Sequence, residues 1–143
     1  MTRSWVLALV AAILLPGAAN AFEDKDVIDY RQNIMKSLDS QTAALGMVIS
    51  TQITSENLVQ HLDTIALTAK MSLKSFEQKV QGGESLPAVW DKWDDFKKRM
   101  NDFVVNTQKL AETGRTQGQD AVVAGMVDAL SCKSCHDLYR EKK

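Results

Sequence analysis

The stretch Val89-Trp90-Asp91-Lys92-Trp93-Asp94-Asp95-Phe96-Lys97-Lys98-Arg99-Met100-Asn101-Asp102-Phe103, continuing to Leu110, is the most regular part of the chain. Val89, Trp93, Phe96, Met100, Phe103, Thr107 and Leu110 recur three or four residues apart, so one face of a helix is apolar and the rest polar. Asp94 with Lys98 and Asp95 with Arg99 are spaced i,i+4 and read as opposite-charge pairs on the solvated side. Upstream, Gly82-Gly83 closes a preceding element, and Ser85 and Pro87 restart the chain, proline being well suited to a first helical turn.

Three further segments carry the same period. In a helix near 24–49 the apolar side comprises Val27, Tyr30, Ile34, Leu38, Thr42 and Leu45. The polar run Thr51 to Ser55 interrupts it, with Ser55 placed to cap the next helix and Glu56 in its first turn. That helix extends to about Val80 on the stripe Leu58, Leu62, Ile65, Ala69, Leu73, Phe76 and Val80. Gly114 to Gly118 forms the last connection, and a fourth helix over roughly 118–141 presents Val122, Val123, Met126, Val127 and Leu130. Four amphipathic helices with short connections predict an all-α, antiparallel up-down four-helix bundle.

The first 21 of the 143 residues read as a secretory signal peptide: Arg3, an 11-residue apolar run from Trp5 to Leu15, Pro16-Gly17, then Ala19-Asn20-Ala21. The run is shorter than the ~20 residues a membrane span needs. The expected mature chain, 22–143, is one domain exported to the periplasm. Arg3 is the leader's only charged side chain, so 16 basic and 18 acidic residues remain. That balance gives no reason to expect nucleic acid as a partner and excludes a polybasic binder.

Chemistry concentrates at Cys132-Lys133-Ser134-Cys135-His136. C-x-x-C-H is the attachment signature of c-type haem. Two thiols three residues apart on one helical turn can each bond a porphyrin vinyl group, and the next side chain, His136, can then ligate the iron. A disulfide here would close a very short loop and constrain the unfolded chain little. A thioredoxin-like pair needs a βαβ setting that the chain lacks. A zinc site needs a fourth ligand, and His61, which reads as a surface or interface histidine, is the only other Cys or His. One covalent haem c near the C-terminal helix is therefore expected.

The chain resembles the class II cytochromes c, the cytochrome c′ group with its low-spin c-556 relatives. Carrying the resemblance are Cys132 to Arg140 near the C-terminus, Tyr30-Arg31-Gln32-Asn33-Ile34-Met35-Lys36 near the mature N-terminus, and Leu86-Pro87 through Trp90 to Phe96. It implies a haem held inside the bundle and a homodimer through the first two helices. It also implies Met35 over the haem face opposite His136, either bonded to iron or covering an open position. His/Met ligation raises the reduction potential and suits electron transfer between redox partner proteins. An open position suits small gases such as nitric oxide. The residue spacing leaves both open, with the Met35–iron bond the main expectation.

Arg31 precedes Met35 by one turn, so both can face the haem, and its guanidinium is a candidate for a haem propionate; Gln32 is a weaker candidate. Trp90 and Trp93 read as core and haem-wall residues. Leu67 and Met71 share a second face of the second helix, available to a partner copy. No catalytic triad, phosphate loop or carboxylate dyad is apparent, so a carrier or binding protein is expected rather than an enzyme.

Overall fold

The computed structural model describes residues 22–142; the segment read as a signal peptide lies outside the described residues. Helix α1 spans Asp24–Ile49, α2 Leu58–Ser75, α3 Ala88–Asp91, α4 Trp93–Gln117, α5 Gln119–Ala129 and α6 Cys132–Tyr139. A 3-10 turn over Ser55–Asn57 leads into α2. Consecutive long helices pack on one another, α1 on α2, α2 on α4 and α4 on α5, and α6 continues the fourth arm against α3 and α4. This is a four-helix bundle of the expected kind. Among the described residues no helix is long and apolar enough to cross a membrane.

The core has two clusters. One is aliphatic: Leu38, Leu45, Val48, Leu58, Leu62, Ile65, Leu110, Ala111 and Val122 with a few neighbours. The other is mostly aromatic: Phe76, Val89, Trp90, Phe96, Met100 and Tyr139. Met35, on α1, packs against both.

Several elements differ from expectation. α2 ends at Ser75, five residues before Val80, although Phe76 and Val80 remain buried. Ser72 and Ser75 donate their hydroxyls to the carbonyls of Ala69 and Ser72 at 2.7 Å, and the next amides bond three residues back, which tightens the helix to a close. Ser55 opens the 3-10 turn and makes no side-chain cap on α2. Lys92, at φ −119° and ψ 44°, separates α3 from α4.

Gly114 lies inside α4 rather than in a connection: a Cβ there would stand 2.4 Å from Leu62 Cδ1, so its missing side chain lets α2 and α4 approach. The turn falls to Gly118 alone, at φ +79°, a conformation glycine adopts readily. The fourth helix is two, broken at Leu130 and Ser131. Val123 and Val127 are exposed, leaving Val122 as the buried valine of that arm. In α1 the inward position near 30 belongs to Arg31, and Tyr30 is exposed.

Candidate haem site

α6 has only two turns, and Tyr139 is its one buried residue. Cys132 is exposed, while Cys135 and His136 are half-buried. Both cysteines are unpaired. Burial raises both thiols above their ordinary value, so they are protonated near neutrality. Burial, helped by the Arg140 cation, lowers His136, leaving the neutral imidazole that can ligate a metal. Among the described residues, no group of three or more His, Cys, Asp or Glu side chains could hold a metal ion. The donor set on α6 is two thiols and one neutral imidazole.

Across from α6, α1 contributes the remaining expected residues. Cys135 and Met35 pack against the same aromatic cluster, and Asp39, one turn beyond Met35, lies within electrostatic reach of Cys132. Arg31 is 3% exposed and enclosed by aromatic faces: its guanidinium carbon stands 5.1 Å from the ring centroids of both Phe76 and Trp90. Its Nη2 donates to the Val80 carbonyl at 2.5 Å and its Nε to the Val27 carbonyl at 3.5 Å. Nη1 is buried with no hydrogen-bond partner. An unmet donor on a buried cation is costly, and a carboxylate is the group that would satisfy it. The residues present therefore fit a haem with an acidic edge. Gln32 is half-buried under the Gly82-Gly83 turn, where a Cβ on Gly83 would be 2.9 Å from its Nε2.

Other sequence expectations resolve locally. His61 is half-buried, its Nδ1 2.8 Å from Gln41 Oε1, a tie between α2 and α1. Trp90 is buried and donates to the Phe76 carbonyl at 3.3 Å. Lys98 pairs with Asp102 at 2.7 Å instead of Asp94, while Arg99 does pair with Asp95 at 2.6 Å. Sequence reasoning missed the aromatic enclosure of Arg31 and the bond from the Tyr139 hydroxyl to Asp95 at 2.5 Å. Phe76 and Trp90 were visible as apolar positions and Tyr139 only as part of the C-terminal motif, and no spacing rule links residues 44 or 59 positions apart.

A family model described as Cytochrome C' matches residues 26–140. Cytochrome c' of Alcaligenes xylosoxydans xylosoxydans is 25% identical over 122 residues, covering 83% of this chain and 96% of that protein. Cytochrome c-556 of Agrobacterium tumefaciens (strain apple 185) is 33% identical, covering 80% and 94%. Among solved structures, the nitric oxide complex of a leucine-to-alanine variant of cytochrome c prime from Alcaligenes xylosoxidans aligns with TM-score 0.78 at 25% identity, covering 86% of this chain and all of that one. Cytochrome c prime from Shewanella frigidimarina aligns with TM-score 0.78 at 24% identity over the same shares.

Proposed function

The chain belongs to the cytochrome c′ family, whose cofactor is covalent haem c, and on that footing we propose that it is an exported haem protein that binds small gases such as nitric oxide or carbon monoxide. Cys132 and Cys135 hold the macrocycle through thioethers, each thiol adding S–H across a vinyl group. His136 ligates the iron. Met35, packed against both core clusters, would serve as an apolar cover over the haem. Arg31, through its unmet Nη1, takes a haem propionate, and Gln32 assists at the same edge. Haem supplies an iron with a coordination position that a gas can take, and the protein's part is to hold it, exclude water and limit access.

The observation that carries gas binding is the setting of Met35. Its side chain packs against both the aliphatic and aromatic clusters, where a thioether fills space, and a leucine-to-alanine variant of a similar cytochrome c prime has been solved with nitric oxide bound. One observation favours a second reading: a thioether at that place, together with 33% identity to a cytochrome c-556, suits a Met35–iron bond and electron transfer to redox partner proteins. Absorption spectra separate the two. Gas binding predicts a high-spin ferrous form that takes up carbon monoxide at once. A low-spin ferrous form indifferent to carbon monoxide, with a methionine–iron charge-transfer band when ferric, would replace it with the second. Neither reading makes the protein an enzyme.

The exposed Leu67 and Met71 on α2 supply an apolar surface for a second copy. A holoprotein that sediments as a monomer at every concentration would rule this out.

A further inference from the structure

The helix that bears Cys132, Cys135 and His136 is too short to hold itself in place. Eight residues are well below the length at which an isolated helix persists. Its N-terminus has no side-chain cap, and its internal ion pair, Lys133–Asp137, is exposed and worth little. The break at Leu130 and Ser131 uncouples it from α5. What fixes it is at its far end. Tyr139 is 5% exposed, its ring meets Phe96 edge-on at 5.2 Å, and its carbonyl accepts the Leu86 amide at 3.0 Å. Its hydroxyl donates to Asp95 Oδ2 at 2.5 Å, and the same oxygen accepts Arg99 Nε at 2.6 Å. Asp95 and Arg99 both belong to α4, the helix against which α6 leans. Both charges act electrostatically on Cys135.

We propose that Tyr139 is a positioning residue for the haem: bonded to the Asp95–Arg99 pair of α4, it locks α6 so that His136 and Cys135 meet the macrocycle in one fixed orientation. The lock works by geometry and charge together. His136 lies three residues, one turn, before Tyr139, so a rotation of the last turn is passed directly to the imidazole. The Asp95 carboxylate balances the Arg99 cation beside the site, and removing it would leave that cation uncompensated, which favours ferrous over ferric iron. The inference rests on the haem reading above.

The test uses the holoprotein and the variants Tyr139→Phe, which keeps the ring, and Asp95→Asn, which keeps the shape. Three quantities are read: haem content by mass, amide hydrogen exchange along α6, and the ferric paramagnetic resonance spectrum with the midpoint potential. With full haem content, each variant should speed exchange in α6 roughly tenfold or more, the change expected when a hydrogen bond to a charged group is lost. Exchange at the aliphatic end should be unchanged. Both variants should broaden or shift the resonance spectrum, Asp95→Asn should raise the potential, and the double variant should match the larger single effect. Variants that keep their haem with spectrum and potential unmoved would overturn the proposal while leaving the haem reading intact. A wild-type protein without covalent haem would overturn both.

Discussion

At one end of the bundle Leu45, Val48, Leu62, Ile65 and Val122 join one aliphatic cluster with almost no exposed surface. At the other, Phe76 and Trp90 enclose a buried guanidinium within a cluster that also holds Phe96 and Tyr139, and Met35 and Cys135 pack against it. The first is ordinary bundle packing, with Gly114 letting α2 and α4 close on each other. The second carries a cation with an unused donor and a two-turn helix pinned by one tyrosine. On the proposed function the difference separates stability from function: aliphatic packing holds the chain, and the aromatic end would present the cofactor.

Substitutions at the two ends should therefore be distinguishable. Leu62→Ala, in the aliphatic cluster, should cost about 2–5 kcal/mol in denaturant unfolding and leave the haem spectrum unchanged. A spectrum that shifted with it would break the contrast. Arg31→Met should act at the other end, costing about 1–3 kcal/mol through lost hydrogen bonds and altered contact with the two rings, and it should shift the midpoint potential by removing the propionate's partner. An unchanged potential would remove Arg31 from the site.

The Tyr139 lock also has a pH signature. Burial, reinforced by the Asp95 carboxylate, pushes the phenol up to about 12, so the tyrosinate absorbance of Tyr139 should emerge near pH 12 and not near 10. A raised phenol contributes stability that is fully present below pH 10 and lost as pH rises through about 12. Asp95, held below its ordinary 3.8 by the Arg99 and Tyr139 hydrogen bonds, contributes in the opposite sense: present above 3.8, lost as pH falls through its lowered value. Smallest of all, Lys98→Ala, which removes the exposed pair with Asp102, should change stability by about 0–1 kcal/mol and shift nothing at the haem.

Helices α1 and α4 and the Cys132–His136 motif were legible in the sequence because periodicity and spacing are local. What escaped was not. Tyr30 and Arg31 are adjacent, and a three-or-four spacing from Val27 admits either as the inward residue; the rings of Phe76 and Trp90 and the Val80 carbonyl make the arginine acceptable inside. Gly114 reads as punctuation until Leu62 is seen where its Cβ would be. The break before Cys132 has no proline or glycine to announce it. Asp95 reads as half of a surface ion pair because its second partner is 44 residues away.

The central claim is that one haem is bonded to α6 through both cysteines. The most direct measurement is a peptide mass map of the purified protein after thiol alkylation. The account predicts a single haem-sized addition on the peptide spanning Cys132 to His136, with neither sulfur alkylated. Two alkylated cysteines and no added mass would contradict it.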